Sequence, residues 1–283
     1  MIILVGFNIF DIQFLEWLNF PFIQRALIEA ILMGVLGGLL GCFVTLRQLS
    51  FFSHAVGHTS LLGIVLGVML STNPTWMLLL FTVIFGVVVL YLIDQTDLAN
   101  DSILSIILSG VLAIGLILSR LLQGYRGNLI QILFGDILAI NNEDIILTVA
   151  LLLISCIFLF STLRQQILLT LNSAVAKIQG VPVQLYRYGF VVLLSLSVAI
   201  AIKAVGILLV NSFLVIPAST AKLISHHFKY FLLISIIIGS TTSITGIFVS
   251  AIFQLASGPS IVVIQFLVFL LVFSLAKCRS KFA

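Results

Sequence analysis

The sequence predicts an all-α protein, a polytopic transmembrane helical bundle of about nine spans, or eight. Two observations carry this. Of 283 residues, 61% are hydrophobic and only 8% are charged, whereas a soluble domain carries about 25% charged residues. Apolar runs near the roughly 20 residues that cross a hydrocarbon core also recur from one end to the other, giving a mean hydropathy of +1.33. The pattern is that of a chain embedded in lipid throughout, not of a soluble domain with an anchor. The formal net charge of +4 is spread thinly. It reflects loop placement and offers no surface for nucleic acid. No basic n-region with a small-residue cleavage site opens the chain, so no removable signal peptide is expected. Cys42, Cys156 and Cys278 lie far apart and form no CxxC; they read as reduced, incidental residues.

Residues 1–25 form an amphipathic N-terminal segment, mixing Asn8, Asp11, Gln13 and Glu16 with Trp17 and phenylalanines as far as Pro21. Such composition lies on a membrane surface. The expected spans are 26–46, 51–70, 75–93, 103–122, 144–162, 186–203, 205–224, 231–253 and 260–276. The division between 186 and 224 is the weakest, because only Lys203 and Gly206 interrupt that run. Residues 277–283 make a short tail. With the C-terminus in the cytosol, alternation places Arg47, Arg164, Lys177, Arg187, Lys222, Lys229, Lys277, Arg279 and Lys281 inside. Only Arg25, Arg120, Arg126 and Lys203 fall outside, which satisfies the positive-inside bias.

The first span carries small residues four apart at Gly34/Gly38 and Gly37/Gly41, and the second repeats the spacing at Gly63 and Gly67. Such faces let helices approach closely in lipid, within one chain or between subunits. Residues 124–144 are too interrupted for a span and read as a short external helix, with Asp144 capping the next span. Residues 172–184 read as a short cytosolic helix stopped by Gly180 and Pro182. It is a connector or a docking element.

Two features carry chemistry. His54 and His58 stand four apart in apolar sequence, on one helix face and roughly 6 Å apart along its axis. Polar side chains inside a span are expensive and functional by default, and neutral imidazole is a ligand for zinc-like metals. Bonding to neighbouring helices is the plainer alternative. The seventh segment carries Pro217, which removes a backbone donor, among Ser212, Ser219 and Thr220, which can satisfy freed backbone groups. It reads as a broken helix lining a pathway, or as a simple kink. Two enzyme classes drop out. An HExxH protease needs glutamate where this chain has Ala55, and no GxxxxGK[ST] phosphate loop occurs. Transport remains, driven from elsewhere.

Four stretches, Arg47 to Gly63, Leu133-Phe-Gly-Asp136-Ile-Leu-Ala, Val205 to Ala221 and Ser257-Gly-Pro-Ser260, resemble the permease subunits of bacterial ABC importers for zinc and manganese. The resemblance runs in order over roughly 45–275 and is closest to the zinc-uptake branch. It implies a fold like the type II ABC importers and a homodimer in the bacterial inner membrane. It also implies two cytosolic ATPase subunits docked on 172–184 as the coupling helix, with Ala176 and Gly180 in the contact. A periplasmic or lipid-anchored binding protein would deliver the metal. His54 and His58 would be transient ligands of a transported Zn2+, with Mn2+ or Fe2+ as alternatives and no permanently bound cofactor. Asp136 would be the candidate for an external gate. Many relatives carry aspartate at the position of His54, and histidine there shifts the donors from oxygen toward nitrogen, which suits zinc. Relatives often have an acidic residue near Ala256-Ser257, and this chain does not. A gradient-driven secondary transporter is the alternative class; it would need coupling carboxylates inside the spans, and the nine acidic residues nearly all sit in predicted loops or at span ends.

Overall fold

The computed structural model describes residues 20–121, 135–207 and 209–282. They are helical nearly throughout: α1 Pro21–Leu46, α2 Ser50–Met69, α3 Pro74–Gln95, α4 Asn100–Leu121, a 3-10 turn Ile137–Ala139, α5 Asn142–Ser161, α6 Leu163–Leu171, α7 Ser173–Ile178, α8 Val183–Val205, α9 Val210–Ile224, α10 Phe228–Phe253 and α11 Ser257–Phe282. Proline opens α1 and α3 at the position where its missing N–H is harmless. Asn73 adds a side-chain cap, accepting from Thr75 N at 3.0 Å.

Eight of these helices are long and apolar enough to cross a membrane, among the described residues. The protein is therefore a multi-pass membrane protein, and the eight-span alternative gives the number of full-length helices. The seventh expected span, 205–224, is a 15-residue helix, α9, about 22 Å long and short of the roughly 30 Å hydrocarbon core. Direction still reverses there. α8 runs from the end marked by Arg47 to the opposite end, and α9 runs back beside the last turns of α1. Gly37 meets Phe213, and Gly41 meets Leu214 and Ala218. α10 then starts at the Arg47 end, with the Phe228 ring 5.6 Å from Phe43. The alternation expected of nine segments survives with eight full-length ones, and lysine and arginine still concentrate at the Arg47 end, the cytosolic one by the positive-inside bias.

α1 is the axis of the bundle: 72% of its most apolar stretch is buried, against 17% for α4 and 11% for α11. Its glycines explain why. A methyl group at Gly34 would lie 2.6 Å from Ser240 Cα, and one at Gly38 would lie 2.7 Å from Ile236 Cα. α10 therefore rests on α1 backbone to backbone, and Ser235 Oγ donates to Gly38 O at 3.0 Å across the seam. These small residues serve packing within the chain. A second close approach joins Gly135 to Gly206 at the end opposite Arg47, both with positive φ (+69° and +88°), where a methyl on Gly135 would strike Gly206 N.

Several local expectations change. Residues 1–19 and 122–134, including Trp17, Arg126 and most of the expected external helix, lie outside the described residues. α1 already begins at Pro21, so the end of the expected surface segment belongs to it. What is described of the 124–144 stretch is a 3-10 turn and the first residues of α5. Asn141, not Asp144, takes the N-cap position of α5; Asp144 sits three residues on and accepts from Asn141 N at 3.2 Å. α6 was not expected, its sequence being too polar on one side to stand out as a span. Nor does Pro217 break its helix: α9 is continuous through it. The interruption lies upstream, between Val205 and Val210, where Gly206 ends α8 in a conformation open to glycine.

Candidate functional site

α2 turns most of its surface inward. Its partly open stripe is Phe51, His54, His58 and Leu61, at the 3–4 residue spacing of one face. The two imidazole rings lie 4.4 Å apart, centroid to centroid, inclined at 67°, and Phe51 flanks His54 at 5.9 Å. Among the described residues neither imidazole is hydrogen-bonded, and no third histidine, cysteine or carboxylate joins them. The helical spacing read from sequence thus brings both rings together, with ring nitrogens free to serve one small cation as neutral donors. Two ligands from one chain leave the shell open.

The stripe is held by its concealed neighbours. Ser53 Oγ donates to Asn211 Oδ1 at 2.6 Å, tying the first turn of α2 to the first turn of α9. Gly57 receives Val210, whose Cγ1 would lie 2.9 Å from a methyl group there. Since Gly57 is seven residues into α2, α9 begins about 10 Å along α2 from its Arg47 end. On α9, Ser212 and Ser219 share a partly open face, while Pro217 and Thr220 are buried. Thr220 Oγ1 donates to Ile216 O at 2.7 Å. The four residues singled out on this segment therefore divide in two, two toward the open side and two into the bundle.

At the Arg47 end, Asn172 caps α7, its side chain accepting from Ala174 N at 2.9 Å and Val175 N at 3.3 Å. Val181 N returns to Ala176 O at 3.1 Å and Gly180 N to Lys177 O at 3.1 Å, the pairing of a glycine-terminated helix end. Gly180 has φ +75° and open space around it. Ala176 is buried, whereas Ile178 is 86% exposed. The expected short helix with a firm stop is present, with an apolar tip. α6 carries it. Arg47 donates to Gln166 O and to the Gln166 side chain, and to Thr170 Oγ1 at 3.1 Å; its guanidinium lies 4.5 Å from the Phe190 ring centroid. Burial and the nearby Arg187 push Arg47 down to about 10, so it stays charged at neutral pH. Beneath it opens a cavity of about 440 Å3, lined by Arg47, Thr170, Ser173 and Arg187.

Asp136 sits at the opposite end. Its carboxylate accepts from Leu138 N at 3.0 Å and its own N–H donates to Lys203 O at 3.1 Å, so the side chain is committed to holding the turn. Sequence reading missed a polar cluster beside it. Glu29, 1% exposed inside α1, is hydrogen-bonded with Thr148 Oγ1 at 2.7 Å, and Asp144 pairs with Lys203 at 2.6 Å. The one available signal was an acidic residue three positions inside a span that had been read as a span end.

A match to the ABC 3 transport family covers residues 19–276. The chain is 31% identical over 258 residues to the manganese transport system membrane protein MntC of Halalkalibacterium halodurans, covering 91% of this chain and 88% of that protein. It is equally 31% identical over 261 residues to the high-affinity zinc uptake system membrane protein ZnuB of Haemophilus influenzae, covering 91% and 98%. Among solved structures, PsaBC from Streptococcus pneumoniae in complex with Fab superposes with a TM-score of 0.83 at 31% identity, covering 93% of this chain and 95% of that one. The chain belongs to the ABC 3 transport family.

Proposed function

We propose that this chain is the permease of an ATP-driven importer that carries a divalent transition metal, zinc, into the bacterial cytoplasm. The observation that carries the reading is the His54–His58 pair, two imidazoles 4.4 Å apart on a side of α2's first turns that stays partly open among the described residues. Neutral nitrogen donors suit zinc, whereas manganese takes hard oxygen readily. Conduction needs binding strong enough to admit an ion and weak enough to release it. Two or three protein ligands, with water completing the shell, meet that need better than the closed four-ligand sites of structural zinc. A second copy of the chain, facing the first across this stripe, would form the pathway as a homodimer in the inner membrane. Ser212 and Ser219 would line its cytosolic part.

The sequence has no phosphate loop, so ATP hydrolysis belongs to separate cytosolic ATPase subunits. α7, with the exposed Ile178 and the Gly180 stop, is their docking element, and Asp136 holds the turn at the outer end that a metal-binding protein would approach. Manganese is the second reading, favoured by the equal similarity to a manganese-named relative. The deciding experiment is metal uptake into vesicles containing the chain with its ATPase, comparing Zn2+ with Mn2+. ATP-dependent zinc uptake that His58→Ala removes supports the proposal. Uptake that proceeds without nucleotide would replace it with a gradient-driven transporter.

A further inference from the structure

Glu29 is the most deeply buried carboxyl among the described residues, and its hydrogen bonds do not add up for a carboxylate. Oε1 is met by Thr148 Oγ1 at 2.7 Å. Oε2 is buried with no hydrogen-bond partner among the described residues. A bare carboxylate oxygen in such a place is heavily disfavoured. The Thr148 hydroxyl also lies 3.0 Å from Asp144 O, yet it has one hydrogen and cannot donate to both.

A proton resolves both shortages. If Glu29 carries the hydrogen on Oε1, it donates to Thr148 Oγ1, and Thr148 in turn donates to Asp144 O. The remaining Oε2 is then a carbonyl oxygen, far cheaper to leave unmet than a charged one. The surroundings choose a proton over a metal ion. The cavity that Glu29 shares with Asp144 and Lys203 is about 10 Å3, room for a single water. Asp144 is already paired with Lys203, and no set of three metal-binding side chains forms there among the described residues.

The charges around Glu29 are few. α5 contributes Asp144 and α8 contributes Lys203, already paired at 2.6 Å. α3 contributes only Thr75, Leu78 and Leu79 to the cavity. The neighbouring Asp136 carboxylate is turned to Leu138 N, and Arg25 stands one turn earlier on α1 itself. Asp144 and Lys203 are paired with each other, so Glu29 has no ion-pair partner of its own among the described residues. We propose that Glu29 is a proton-binding site, its carboxyl hydrogen shared with Thr148, that fastens α1 to α5 at the end of the bundle opposite α7. The proton reaches it from water through the small cavity: an O–H bond forms on Glu29 Oε1, and the Thr148 hydrogen swings to Asp144 O.

The test asks nothing of transport and so stands apart from the importer reading. Infrared spectra of the purified full-length chain in lipid nanodiscs at neutral pH should contain a protonated-carboxyl C=O band that Glu29→Gln removes. Thr148→Val should move it to higher frequency, because a hydrogen bond is lost. The folded chain would hold one more proton than the unfolded chain, so by linkage its stability falls as pH rises through release of that proton. Wild type should lose melting temperature over that range, and Glu29→Gln, a fixed mimic of the protonated form, should not. No such band in wild type, a band unchanged in Glu29→Gln, or the wild-type pH slope retained in Glu29→Gln would overturn the proposal. Should Glu29→Gln fail to fold, the Thr148→Val spectrum decides, and an unshifted band there rejects it.

Discussion

The two sides of α1 and α2 show opposite ways of using a small residue. Where α10 crosses α1, glycines at 34 and 38 let the backbones touch, and no side chain could be added without displacing the neighbour. On α2, Gly57 receives Val210 on the covered side while His58, the next residue, faces the partly open stripe. The seam gives its whole surface to contact; the stripe stays partly open among the described residues. In lipid, where apolar burial gives little drive between helices, the sealed seam fixes the helices that hold the open stripe in place.

The largest effect is expected from breaking the seam. Gly38→Leu forces α10 off α1 and should destabilise the chain by about 3 kcal/mol or more, beyond ordinary overpacking because backbone atoms must move. Detergent-solubilised protein should lose its monodisperse elution and most of its thermal transition. Substitution on the stripe should do the reverse. His58→Ala should abolish metal uptake with the melting temperature kept within a degree or two, and His54→Asp should keep uptake and shift preference toward manganese. If His54→Ala together with His58→Ala imports zinc at the normal rate, the pair is structural.

A smaller contrast is built into α9. In a background lacking the three native cysteines, Ser212→Cys and Ser219→Cys should react with small aqueous thiol reagents, and Thr220→Cys, buried one residue on, should not. Equal silence at all three would return α9 to a packed helix with no pathway role. A modest effect on stability is expected at Gly180. Leucine there meets open space but must adopt φ +75°, a strain of roughly 1–2 kcal/mol. Gly180→Leu should leave the chain inserted and folded while transport falls relative to ATP hydrolysis by the assembled complex.

What could be read from sequence follows from distance along the chain. The histidine pair was legible because helical spacing alone unites residues 54 and 58. The α7 stop was legible because Gly180 and Pro182 act locally. Glu29 was not, since its meaning depends on Thr148, 119 residues away, and an acidic residue near a span's start looks like one at its edge. The interruption before α9 was misplaced for a related reason. Pro217 is the louder signal, but a proline whose surroundings tolerate a missing bond can sit inside a helix, whereas Gly206 takes its conformation from the approach of Gly135. α6 was missed because Gln166 and Arg164 hide its helical face; its burial comes from Arg47 on another element.

The short α9 has a consequence for anyone building tools from this protein. The helix does not reach the outer end, where the turn 135–140 packs against α1, α8 and α11, with Ile137 1% exposed and Ile137 N donating to Ser257 Oγ at 3.3 Å. On a hydropathy plot this stretch looks like an accessible outer loop, the customary place for an epitope tag or a protease site. It is a plug. An insertion beside Ile137 pulls this turn from α1 and α8 and breaks the hydrogen bond from Asp136 N to Lys203 O. The exposed connection at 96–99 between α3 and α4, which carries no such duty, is where a reporter should go.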